Sequence, residues 1–197
     1  MNKPFPLYCL AAVNYFSLLA KYDIVEISIA EKYIKQSQRN RFYIMEPNKI
    51  LRLSIPIKNP HEPKSISEIE IDYSENIMIK NWRGIEASYR NSPYFEHYFD
   101  YFYKLFSARH FLLAEFNIEA LNLVLKIMKC DSRIILNPLP VNEVQSISAL
   151  ENYKIYNQVF ADRHGFVKNL SILDVIFNNG PFSSEYLSNY NQKNEIL

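Results

Sequence analysis

Glycine is scarce in this chain: 197 residues hold three, Gly84, Gly165 and Gly180. The dinucleotide-binding GxGxxG turn and the P-loop each need several glycines to bring backbone close to phosphate, so both routes to NAD or ATP are excluded. Cysteine is nearly as rare, with Cys9 and Cys130 far apart. A disulfide framework needs more cysteines and a zinc knuckle needs CxxC-like spacing, so both are expected as reduced, packed thiols. The four histidines, His61, His97, His110 and His164, form no HxxxH or other metal-ligand spacing, and no GxSxG or Cys/His signature is present. Surplus charge is missing too: 22 Lys+Arg stand against 21 Asp+Glu, for a formal net charge of +1. That balance denies the broad basic surface used for nucleic acid or anionic membranes, so any basic site must be local.

Long apolar runs are lacking as well. The stretch from Leu7 to Ala20 follows Pro4 and Pro6 and is broken by Asn14, Tyr15 and Ser17. It falls short of the roughly 18 apolar residues of a membrane span and does not read as a signal-peptide core. The expectation is a cytoplasmic protein with no membrane span, no nucleic-acid partner, no metal and no cofactor.

What the chain does have is apolar and aromatic bulk: 48% hydrophobic and 15% aromatic residues against 22% charged. This supports one well-cored domain over residues 1–188, with residues 189–197 (NYNQKNEIL at its end) fraying. Residues 7–20 read as a helix and Asp23 to Ile29 as a buried strand. Residues 39–45 and 50–57 read as two strands joined at EPNK, and 66–73 (ISEIEIDY) as a further alternating strand. Helices are expected at about 75–90, 94–106 and 111–129, then a short strand, RIILN, at 133–137. A last helix spans 171–178, capped by Asn169 or Ser171 and stopped by Gly180-Pro181. Strands followed by helices imply an α+β fold, with a mixed or antiparallel sheet from the N-terminal half packed against a mostly helical C-terminal half.

The stretch YIKQSQRNRFYIM, residues 33–45, is polar and basic within this apolar background. On a strand, Arg39, Arg41 and Tyr43 share a face. Two residues span roughly 6.6 Å along a strand, so paired guanidiniums there suit a carboxylate, phosphate or diphosphate. In a hairpin, Arg52 joins that face. The same spacing equally describes an open sheet face whose arginines pair with Glu68 or Glu70. In helix 75–90, Met78, Trp82, Ile85 and Tyr89 form a core-facing stripe, with Trp82 read as core before sugar platform. In residues 92–106, Phe95, Phe99, Phe102 and Phe106 form another, leaving Tyr94, Tyr98, Tyr101 and Tyr103 at its margins. Asp162 to Gly165 reads as a turn entering the last helix.

NYFSLLAKYD, YIKQSQRNRFYI, LRLSIPIK, IEIDYS, NWRGIEASYRNSPYFEHY and RHGFVKNLSILDVIFNNGP, in this order and spacing, resemble WbqC-like proteins over roughly residues 7 to 187. By motif, Tyr33, Lys35, Arg39, Asn40 and Arg41 match that family's polar stretch. Trp82, Arg83, Ser92, Pro93, Tyr94 and Phe95 match its second block. The resemblance implies a role in O-antigen or other surface-polysaccharide biosynthesis. It points to a transferase acting on an activated or amino sugar, with a nucleotide-sugar as the small-molecule partner. Arg39, Asn40, Arg41, Arg83 and Tyr94 would then bind substrate, and Lys35, Tyr33 and the Asn81 position would carry chemistry, Lys35 as a base if burial lowers its pKa. Two departures stand out. The family's proline-containing YLP-like element is LYCLAAVNYF here, with Cys9 and Ala11-Ala12. Asn81 replaces the histidine that precedes the family's tryptophan, and an amide cannot serve as acid or base. A non-catalytic binding or scaffold protein retaining the fold is the alternative those departures suggest.

Overall fold

The computed structural model describes residues 3–61, 64–147 and 155–188. One sheet has three strands, β1 (Phe5–Pro6), β2 (Ile24–Ser28) and β5 (Arg133–Asn137), in the order β1-β2-β5. Both pairings are parallel, with Phe5 opposite Ile27 and Val25 opposite Ile134. Val25 and Ile27 are buried, but Ile24 and Glu26 are exposed, so the strand expected to be buried is covered on one face only.

Helix α1 (Val13–Leu19) connects β1 to β2 and begins six residues later than the periodicity predicts. Residues 7–12 form an irregular segment that bends at Cys9 and Leu10 instead. Leu7, Cys9, Leu10, Ala11 and Ala12 are all buried, and a stretch buried on every side has no period to read. Their backbone groups go to tertiary partners: Cys9 N–H donates to Gln38 O (2.8 Å) and Ile172 N–H to Ala11 O (2.8 Å).

The hairpin appears, with strands shorter than the 39–45 and 50–57 expected. β3 (Arg41–Met45) and β4 (Ile50–Ser54) pair antiparallel, setting Arg41 opposite Ser54 and Tyr43 opposite Arg52. Glu46 N–H donates to Lys49 O (2.9 Å) across the turn. Residues 66–73, expected as a strand, start as a single 3-10 turn, Ile66–Glu68. Ser65 and Glu68 divert the chain: the Glu68 carboxylate accepts from Ser65 N–H (2.9 Å) and Ser65 Oγ (2.6 Å), a local capping box that competes with the ladder. Strand pairing survives only as bridges from Ile71 to Ile57 and from Glu70 to Leu112.

Helices α2 (Ile77–Tyr89), α3 (Phe95–Ser107) and α4 (Leu113–Ile127) follow near their expected limits. The stripe Met78, Trp82, Ile85 and Tyr89 is buried, as are Phe95, Phe102 and Phe106, while Phe99 is half-buried. The Trp82 ring meets Phe95 at 6.1 Å and Phe99 at 5.2 Å, which makes it core rather than a sugar platform. Tyr98 is buried, whereas Tyr101 and Tyr103 face out.

The fold is α+β, but the sheet is neither drawn wholly from the N-terminal half nor mixed. β5 arrives from residue 133 to complete a parallel sheet, and antiparallel pairing forms the separate hairpin and isolated bridges. The chain then passes through a short exposed helix, α5 (Ala161–His164), into α6 (Ile172–Asn179), a further 3-10 turn and α7 (Glu185–Ser188). Ser171 caps α6, its Oγ accepting from Leu173 N–H at 3.4 Å. Within α6, Asp174 is fully buried. Its carboxylate accepts from Tyr89 Oη (2.9 Å), Tyr156 Oη (2.7 Å) and Gln158 Nε2 (2.8 Å). Residues 189–197, expected to fray, lie outside the described residues.

Candidate functional site

The basic stretch divides its two arginines between different tasks. Arg39 lies in the turn before β3, not on the strand, so it cannot share a strand face with Arg41. Its guanidinium is buried and bonded to the Glu31 carboxylate, with both side chains 5% exposed. The other Glu31 oxygen accepts from Leu7 N–H (3.2 Å), and the Tyr8 ring lies 5.9 Å from the guanidinium. Neither acid named in the open-face reading takes part: Glu70 pairs with Lys58 (2.9 Å) and Glu68 caps the 3-10 turn. Burial pushes the Glu31 carboxyl above its ordinary pKa, opposed by the Arg39 charge.

Arg41, the first residue of β3, is half-buried and has no carboxylate partner among the described residues. Its Nε is buried and unpaired. It lines a cleft of about 10 Å³ with Leu10, Ala12, Gln38, Asn169 and Ser171. That volume holds one water, so a larger ligand meets Arg41 at the mouth. Three segments distant in sequence are stitched together around it. Ser171 Oγ donates to Leu10 O (2.7 Å) and Ser171 N–H to Tyr43 O (2.7 Å), while Ala12 bridges to Ser171. Leu10 and Asn169 both adopt left-handed backbone, with φ of 40° and 61°, a costly conformation for a leucine.

Tyr33 and Asn40 extend this cluster inward. Tyr33 Oη donates to Asn40 Oδ1 (2.9 Å), and Asn40 Nδ2 donates to Ile55 O (3.0 Å). Burial raises the Tyr33 hydroxyl pKa, and the positive charges of Arg41 and Arg39 oppose the rise. Asn81 contributes from behind. It is buried on α2 and its Nδ2 donates to the carbonyl of Ser54, the residue opposite Arg41 in the hairpin. Its amide therefore holds β4, the partner of the strand that presents Arg41.

The other candidates lie elsewhere. Lys35 is exposed, with Nζ 2.8 Å from His61 Nδ1, so the burial on which its role as a base depends is absent. Arg83 is exposed on α2. Tyr94 is half-buried against Gly180, where φ is +52° and a Cβ would sit 2.3 Å from the tyrosine ring. Glycine is required there, and Tyr94 packs in the α3–α6 junction. Cys9 is buried, which raises its thiol pKa and keeps it protonated.

Sequence reasoning missed Glu31 and Tyr8. Glu31 had a readable signal: it is the sole acid between residues 27 and 45, among four cations. Among the described residues no group of histidines, cysteines and carboxylates could hold a metal, and no helix is long and apolar enough to cross a membrane.

The fold and this cluster define an α+β protein with a buried arginine–carboxylate pair and, two residues on, Arg41 with no carboxylate partner among the described residues. The chain belongs to the WbqC-like protein family, whose sequence model matches residues 8–146. That span contains Tyr8, Glu31, Arg39, Arg41 and Asn81 and ends before the RHGFVKNLSILDVIFNNGP stretch. No curated protein and no solved structure matches the chain.

Proposed function

We propose that the protein is a transferase of surface-polysaccharide biosynthesis acting on an activated or amino sugar, whose anionic group is held by Arg41. The observation that carries this reading is the division of labour in the basic stretch. Glu31 neutralises Arg39, while Arg41 reaches a cleft with a buried, unpaired Nε and no acid to satisfy it. Arginine without a partner favours a bidentate oxyanion, and a phosphate, diphosphate or carboxylate supplies one. Tyr33 and Asn40 fix the first residues of β3, and Asn81 fixes the opposite strand, so Arg41 is presented by a rigid hairpin. Calorimetric titration of a nucleotide-sugar panel into parent protein and Arg41→Ala tests it. The reading requires saturable binding to the parent that falls about tenfold or more in the variant, the loss of one charge-assisted contact. Equal binding by both would overturn it.

A non-catalytic binding role is the second reading, and one observation favours it. Tyr33, Lys35 and Asn81, the groups assigned to chemistry, are each engaged elsewhere: with Asn40, with His61 and with the Ser54 carbonyl. Turnover gained by Asn81→His on a ligand that the parent binds without converting would identify a degenerate enzyme.

A further inference from the structure

A second cleft lies between residues 71–74 and 109–111, with Lys58 at its edge, and has a volume of about 420 Å³. We propose that it binds a nucleoside phosphate, the base stacked on Phe111 and the phosphate held by Arg109. The proposal does not rest on the reading of the Arg41 cleft.

Size comes first, because small-molecule sites run from roughly 300 to 1,000 Å³ and this cleft falls within that range. Its walls are already fixed. Ile71 N–H donates to Phe111 O (3.0 Å), Leu113 N–H to Ile69 O (2.8 Å) and Tyr73 Oη to His110 O (3.1 Å). Glu115 then caps α4 by accepting from the N–H groups of Phe111 (2.9 Å) and Leu112 (3.0 Å). A preformed site loses little entropy on binding.

The chemistry is aromatic and cationic. Phe111 is 63% exposed, although a phenylalanine here gains nothing from facing water. Lys58 Nζ lies 6.0 Å from its ring, and the Arg109 guanidinium lies 5.6 Å from the Tyr73 ring. The nearby acids are occupied: Glu70 pairs with Lys58, Asp72 accepts from Ser74 N–H (2.9 Å), Glu115 caps the helix and Glu119 meets His110 Nε2 at 2.6 Å. Arg109 has no carboxylate partner among the described residues, which leaves one cation open to an anion. His110, also lining the cleft, has a side chain only 9% exposed and a buried, unpaired Nδ1. Cations beside an open ring fit a ligand that is planar at one end and anionic at the other, and a nucleoside phosphate has that form.

The test is calorimetric titration of the full chain with uridine 5′-monophosphate, adenosine 5′-monophosphate, ribose 5-phosphate, uridine and inorganic phosphate. The two nucleotides should bind with a Kd about tenfold or more below that of ribose 5-phosphate, reflecting the stacking of one base. Phe111→Ala should bring the nucleotides down to the level of ribose 5-phosphate, and Arg109→Ala should bring them to the level of uridine. Both side chains are exposed, so both variants should unfold at the parent's temperature. Absence of saturable nucleotide binding would overturn the proposal, as would parent-like binding by Phe111→Ala and Arg109→Ala. Loss in Arg41→Ala alone would overturn it too and assign the nucleotide to the other cleft.

Discussion

The two clefts are built in opposite ways. The Arg41 cleft is narrow, and three chain segments joined by hydrogen bonds close it, while the preceding Arg39 is held in a buried pair with Glu31. The cleft at Phe111 is open and aromatic, and its cations lie over ring faces at the surface. The first invests stability in placing one guanidinium, whereas the second places several groups at almost no cost to the fold. Substitutions around Arg41 should therefore separate into those that unfold the protein and those that only weaken binding. Substitutions around Phe111 should all be of the second kind.

The largest effect should come from the buried pair. Arg39→Ala leaves the Glu31 carboxylate buried without its cation, a loss of about 3–5 kcal/mol when one partner of such a pair is removed. Urea unfolding followed by circular dichroism measures it. A loss below about 1 kcal/mol would place the pair in solvent and erase the contrast between the clefts. Pairing Arg39 with Arg41 in one anion site predicts instead an unchanged fold and weaker ligand binding in both variants.

Asp174 comes next, as a buried carboxylate held by hydroxyl and amide donors with no cation among its side-chain partners. Asp174→Asn turns one accepting oxygen into a donor facing Tyr156 and Gln158, at a cost of about 1–3 kcal/mol. Burial raises the Asp174 pKa, and the three donors oppose that rise without cancelling it. A carboxyl whose folded pKa lies above its unfolded value stabilises the fold fully below the unfolded pKa. That contribution is lost as pH rises through the folded pKa. The parent's advantage over Asp174→Asn should therefore be greatest in acid and shrink as pH rises from the ordinary carboxylate range. Thermal unfolding of both proteins across that range gives the slope, and an advantage that grows with pH would show that the carboxylate is held ionised.

Much of this was legible in the sequence, and the failures share one cause. Helices α2, α3 and α4, the hairpin and β2 each have one face in the core and one in water, so their periods can be read. Residues 7–12 are buried on all sides and follow the partners they meet, Gln38 and Ile172, which no local pattern encodes. The parallel pairing of β2 with β5 joins residues more than one hundred positions apart, so RIILN was visible as a strand while its neighbour was not. In the site, the polar stretch itself was legible. Its partition was not, because spacing along a strand says nothing of Glu31, which comes from the loop after β2 and turns Arg39 away from the ligand.

Arg41→Ala is the finer test of the comparison. Its guanidinium is half-buried and unpaired, so its loss should cost less than about 1 kcal/mol of stability while anion binding falls about tenfold. Unfolding and titration of the same preparation separate the two quantities. A large loss of stability would make Arg41 part of the scaffold.

Asn81→His should have the smallest effect on the fold. Asn81 Nδ2 donates to Ser54 O at 2.9 Å, and an imidazole N–H can replace that donor from the same position on α2. Thermal unfolding should then shift by the equivalent of about 1 kcal/mol or less. Asn81→Leu keeps the bulk but donates nothing, leaving the Ser54 carbonyl short of a partner directly opposite Arg41. If Asn81 acts by holding β4, Asn81→Leu should weaken anion binding while Asn81→His retains it. Equal binding by the two variants would mean that the hairpin holds Arg41 without help from α2.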